Sequence, residues 1–127
     1  MHNFEKLTIW KIVQDLAVDI YKMFIDNRDW GFKDQIQRAA VSISNNIAED
    51  SEYNSDKVFI RQLNIAKGSC GEVKNMLHLC PRIGYLDQAT AKTYINMSKD
   101  LSDKIANFIT TLENGNNNPP NDNPPNQ

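Results

Sequence analysis

Long apolar runs are missing from this sequence. The longest stretch without a formal charge, Ala39–Ala48, is ten residues, and a membrane-spanning helix needs about 20 mostly apolar ones. The opening Met-His-Asn-Phe-Glu-Lys places no apolar segment behind a basic start, so a secretory signal is not expected and the chain is read as cytoplasmic, with no membrane partner. An excess of positive charge is also missing. Fourteen Lys and Arg against sixteen Asp and Glu give a formal charge of −2, which excludes a polycationic surface and confines any nucleic-acid site to a local patch.

Cysteine and histidine are scarce, two of each. Cys70 and Cys80 fall on one expected helix, about 15 Å apart at ~1.5 Å per residue. A disulfide needs Cα atoms within about 7 Å, so both are expected as buried, reduced thiols. His2 is at the terminus, and His78 is two residues from Cys80, a spacing that points them away from each other on a helix and excludes a shared metal. Glu49, Asp50 and Glu52 cluster at a helix C-terminus, where the dipole disfavours acids, and read as a solvated loop. There is no strand to precede a phosphate-binding glycine loop. No catalytic residue, metal site or cofactor is therefore expected, and the chain is read as a non-enzyme.

Proline is nearly absent before the tail, with Pro81 the one exception. Residues 114–127 hold seven Asn and four Pro and no aliphatic or aromatic side chain, so they are expected to be a disordered tail with nothing to bury. Residues 1–113 form the folded domain. There, apolar residues recur at three- and four-residue steps without sustained alternation, which points to helices. Helix one is expected over 8–26, capped by Thr8, with Ile9, Val13, Leu16, Ile20 and Phe24 inward, widened by Trp10, Ala17 and Tyr21. Helix two is expected over 32–49, with Phe32, Ile36, Ala39, Ala40, Ile43 and Ile47 inward. Helix three is expected over 56–80, capped by Ser55 or Asn54 and stopped or kinked by Pro81. Gly84 serves the next turn and Asp87 caps helix four, expected over 88–112 with Ile95, Leu101, Ile105, Phe108 and Leu112 inward. Four amphipathic helices with short connections make an all-α, antiparallel, up-down-up-down four-helix bundle.

Helix three carries the most information. At 100° per residue from Lys57, the residues Phe59, Leu63, Ala66, Cys70, Val73, Leu77 and Cys80 occupy an arc of about 140–240°. Lys57, Arg61, Lys67, Lys74 and Arg82 lie on the opposite side, with Asp56 and Glu72 only at its margins. This basic face is the candidate contact for nucleic acid; the competing reading is an ordinary solvated surface. Ile65, Met76 and Ile83 form a lateral apolar stripe beside Gly68. A glycine inside a helix costs about 1 kcal/mol relative to alanine, so Gly68 beside such a stripe points to close approach by another subunit. Helix two has a polar ladder opposite its core, Arg38, Ser42, Asn45, Asn46 and Glu49. Ser and Asn are poor interior helix formers, which implies hydrogen bonds between helices or subunits, or a ligand contact.

Two of these segments carry a family resemblance. Residues 35–49, Gln-Ile-Gln-Arg-Ala-Ala-Val-Ser-Ile-Ser-Asn-Asn-Ile-Ala-Glu, and residues 59–72, Phe-Ile-Arg-Gln-Leu-Asn-Ile-Ala-Lys-Gly-Ser-Cys-Gly-Glu, agree in order and spacing with the bacterial four-helix-bundle family first noticed in intervening sequences of large-subunit ribosomal RNA genes. Phe4, Leu7, Trp10 and Tyr21, and the turn Ile83-Gly84-Tyr85-Leu86, fit as well. The resemblance covers residues 4–112. It implies a left-handed antiparallel bundle and a homopentamer. A related branch, the accessory variability determinants of diversity-generating retroelements, binds a reverse transcriptase and its template RNA through basic surfaces, which makes RNA or such an enzyme the implied partner. Ser44 stands where many members have proline, Asp50 where glycine is common, and the net charge is acidic where the retroelement branch is basic. The acidic net charge, and the five acids against three bases from Asp87 onward, favour the alternative of a protein-interaction scaffold without nucleic-acid affinity.

Overall fold

The computed structural model describes residues 3–48 and 55–117. They form four helices: α1, Asn3–Met23; α2, Trp30–Ala48; α3, Asp56–Ile83; and α4, Gln88–Asn117. Among the described residues there is no strand. Each helix packs its backbone against two neighbours, α1–α2, α2–α3, α3–α4 and α4–α1; the diagonal pairs make no close backbone contact, though the Lys6 ammonium of α1 lies 5.6 Å from the centre of the Phe59 ring of α3. The pairings run antiparallel: Phe24 stacks on Phe32, Gln35 bonds Glu72 while Ser69 bonds Ser42, Phe59 meets Phe108 edge-on, and Tyr94 bonds Asp19. This is the all-α up-down-up-down four-helix bundle that the apolar periodicity predicts.

The core is one continuous cluster. Ile9, Val13, Leu16, Ile20 and Phe24 of α1 meet Ile36, Ile43 and Ile47 of α2, the α3 stripe from Phe59 to Cys80, and Leu101, Ile105, Phe108 and Leu112 of α4. Leu63 and Leu77 are both fully buried, as their central places on the α3 wheel require. Leu77→Ala should cost about 2–5 kcal/mol, and urea denaturation of the two proteins measures it; a difference below about half a kcal/mol would put the α3 core arc in the wrong phase.

The helix ends differ from the sequence expectations in five places, one being that α1, expected to reach Asp26, ends at Met23. Thr8 is not a cap: α1 starts by Asn3, and the Thr8 hydroxyl donates back to the Phe4 carbonyl at 3.0 Å, a bond a threonine makes inside a helix. α2 starts at Trp30, because Asp29 caps it by accepting from the Phe32 N–H at 3.1 Å. α3 runs through Pro81 to Ile83. Proline removes only its own N–H, and the chain terminates at Gly84, whose φ of 82° is open to glycine at little cost. There the Cys80 carbonyl accepts from Gly84, Tyr85 and, at 3.4 Å, Leu86. α4 continues to Asn117, so the first residues of the Asn-rich segment prolong a helix already propagating from the core; the remaining tail lies outside the described residues. Ser55 and Asp87 cap α3 and α4 as expected, accepting from Val58 N–H at 3.3 Å and Thr90 N–H at 2.6 Å.

Asp29 does a second job. The Tyr85 hydroxyl donates to its other oxygen, joining the α1–α2 turn to the α3–α4 turn beside the Phe32 ring, which meets Phe24 at a tilt and Tyr85 edge-on. That bond, then the Phe32 N–H, holds the Asp29 carboxyl below its usual range. A depressed carboxyl contributes stability above its unfolded value and loses it as the pH falls through the folded one. Thermal melts should therefore show the wild type losing its advantage over Asp29→Asn as the pH drops below the ordinary carboxylate value of 3.8; parallel pH profiles would remove Asp29 as a determinant.

Candidate functional site

The two motif segments of α2 and α3 meet along one groove. The Ser69 hydroxyl donates to that of Ser42 at 3.0 Å. Asn46 donates to the Ser42 carbonyl and hydroxyl at 2.8 and 3.2 Å, and Gln35 donates to the Glu72 carboxylate at 3.1 Å. Of the ladder residues, Ser42 bonds across to α3, and Asn46 braces it from within α2. Arg38 is spent within its own helix, with Nε 2.7 Å from the Asp34 carboxylate. Asn45 is exposed, and Glu49, like its acidic neighbours Asp50 and Glu52, lies outside the described residues.

The outer side of α3 carries the basic face. Lys57, Arg61, Lys67 and Arg82 are exposed, and Lys74 is half-buried toward the α4 side. From Lys57 to Arg82 the row spans about 37 Å of helix axis at ~1.5 Å per residue. None of the five is ion-paired to a described residue, and Glu72, at the margin of the face, accepts from Gln35.

The lateral stripe divides. Ile65 and Ile83 are exposed at 47% and 48%, but Met76 is 5% exposed and belongs to the core. α2 and α4 enclose α3 from two sides, and Met76 points toward the α2 side occupied by Ser69, so α2 covers it. Leu79, at 41%, takes its place on the exposed edge. Gly68 is exposed, and a Cβ built there meets nothing within 4 Å. Packing within the subunit does not call for a glycine at this position.

A second apolar surface lies along α1, opposite its core stripe, and runs into the turn after it: Phe4, Leu7, Val18 and Tyr21 of the helix, then Ile25. Tyr21, expected inward, is 44% exposed. The signal that would have found this surface is the 4-7-11-14-18-21-25 spacing, a second helical stripe that the stronger inner one masks.

Both cysteines are buried and reduced. Cys70 donates its thiol to the Ser98 carbonyl at 3.0 Å, and burial pushes it up to about 11 despite the Lys74 ammonium and the Ser102 backbone contact pulling the other way. Burial alone pushes Cys80 up to about 11. The thiolate is the nucleophile, so iodoacetamide at pH 8 should label the native protein at least about a hundredfold more slowly than the urea-unfolded one. Equal rates, followed by mass spectrometry, would place the thiols at the surface.

Among the described residues no three His, Cys, Asp or Glu side chains gather into a metal-binding group, and no described helix is long and apolar enough to cross a membrane. The family model of the 23S rRNA-intervening sequence protein matches residues 5–107, and the chain belongs to that family. It is also similar to a crystal structure of a protein with unknown function from the S23 ribosomal protein family of Bacteroides thetaiotaomicron. That protein is 25% identical, with a TM-score of 0.76 over 84% of this chain and 98% of the other. No curated protein matches.

Proposed function

We infer that this chain is a non-enzymatic, cytoplasmic accessory protein that assembles with copies of itself and holds nucleic acid by its phosphates along the outer side of α3. The observation that carries the reading is the row of Lys57, Arg61, Lys67 and Arg82, exposed and without ion pairs to described residues. A stretch of about 37 Å with four cations is long enough to track several nucleotides, and each cation acts as a point charge on phosphate. The net charge of −2 makes one such row a weak site, and a homo-oligomer, a pentamer by family resemblance, multiplies it through avidity. RNA is the favoured ligand, alone or with a reverse transcriptase partner. The exposed apolar residues of α1 favour a second reading, a protein-interaction scaffold with no nucleic-acid affinity.

A filter-binding series with single-stranded RNA across salt concentrations separates the two. Replacing Lys57, Arg61, Lys67 and Arg82 together by Gln should leave the helical signal intact, since all four point away from the core. The slope of log affinity against log salt should flatten by about 0.7 for each lost phosphate contact, and affinity should fall to a similar extent for unrelated sequences, because phosphate contacts carry no base information. No binding by the wild type at low salt, or an unchanged slope in the variant, establishes the scaffold reading instead.

A further inference from the structure

Trp30 opens α2 and is 68% exposed. Neither packing nor capping calls for an indole there. The ring lies outside the core cluster, and Asp29 supplies the cap. The Lys33 ammonium sits over the ring, 5.0 Å from its centroid, and donates to the Ile25 carbonyl at 2.8 Å. That cation–π contact fixes the ring by one face on the α1–α2 turn. With most of the residue exposed, the other face is open.

The basic row of α3 runs to this same pole. Its last cation, Arg82, is three residues before Tyr85, whose hydroxyl bonds Asp29, the residue preceding Trp30. Arg28 is exposed beside the ring. Of the acids at this pole, Asp34 pairs with Arg38, and Asp29 and Asp87 cap helices; Asp26 faces solvent. A strand whose phosphates follow Lys57 to Arg82 and continue past the end of α3 crosses the first turn of α2 and meets the indole. We propose that Trp30 is a stacking platform for one unpaired base of that strand.

The form of the ligand follows from the ring's place. A duplex keeps its bases stacked on one another and shows phosphates to a surface, whereas a single strand can turn a base out onto an aromatic face. Every base has a π-face, so the platform favours single strands without reading their sequence. The site presupposes RNA on the α3 row, as inferred above, and separates the strands that row prefers from those it merely attracts.

The test uses the full chain with Trp30→Ala and Trp30→Phe, both expected to keep the helical CD signal because the ring is outside the core. In filter binding with single-stranded RNA at fixed salt, Trp30→Ala should bind at least about fivefold more weakly and Trp30→Phe within about threefold of the wild type. The slope against log salt should stay that of the wild type, since no phosphate contact is lost. A fully paired RNA of equal length should not distinguish the wild type from Trp30→Ala. Tryptophan emission should fall when single-stranded RNA is added to the wild type and stay level in Trp30→Phe, which retains only Trp10. Wild-type affinity in Trp30→Ala, or an equal loss on paired RNA, overturns the platform and leaves the phosphate row standing. A changed sedimentation coefficient in Trp30→Ala assigns the ring to a contact between subunits and overturns it as well. A wild type that binds no RNA at low salt overturns both the platform and the row.

Discussion

The buried stripe of α3 is the constraint on which the remaining features depend. From Phe59 to Cys80 it meets α2 on one side and α4 on the other. Because α3 is gripped from both sides, its orientation about its own axis is fixed. Leu63 and Leu77 cannot turn outward, so Lys57, Arg61, Lys67 and Arg82 cannot turn inward. The same phase puts Ser69 against Ser42 and Glu72 within reach of Gln35. The polar bonds of the α2–α3 groove are then small adjustments, each worth about 1 kcal/mol, to a geometry set by apolar burial at about 25 cal/mol per Å².

Much of this was legible in the residues themselves. Ile36, Ile43 and Ile47, or Leu101, Ile105 and Leu112, recur so regularly that only one face of each helix can be inward. Ser55 and Asp87 read as caps because short polar side chains stand immediately before an apolar period. Thr8 deceived for the same reason: a threonine within a helix resembles one that begins it, and only the Phe4 carbonyl as its partner separates the cases. Pro81 marked the end of α3 too early, since a proline penalises the turn behind it and not the two residues ahead. Met76 was illegible on a wheel, because the width of a buried arc depends on where the neighbouring helices stand. Of the candidate site, the basic row could be drawn from spacing alone, except that Lys74 is partly covered. The outer stripe of α1 was hidden by Tyr21, whose ring was assigned to the core on its apolar bulk.

The family membership and the similar crystal structure bear on the fold and carry no chemistry with them. What the molecule offers is surfaces: a cationic row, a hydrogen-bonded groove between two motif helices, and exposed apolar residues on α1 and α3. Its buried thiols, pushed up to about 11, are core atoms and not reagents.

The Asp29–Tyr85 bond joins two turns at one pole of the bundle. The antiparallel order puts the start of α1 near the end of α4 at the other pole, where Phe4 and Thr8 share a surface groove with Lys104 and Asn107. A pulling force applied between those two helix ends therefore loads the subunit as a zipper, parting α1 from α4 layer by layer from the open pole. The tyrosine–aspartate clasp lies at the far end of that path. A sudden drop in resistance when the clasp is removed would appear late in such a trace, after the α1–α4 bond between Asp19 and Tyr94 has already separated.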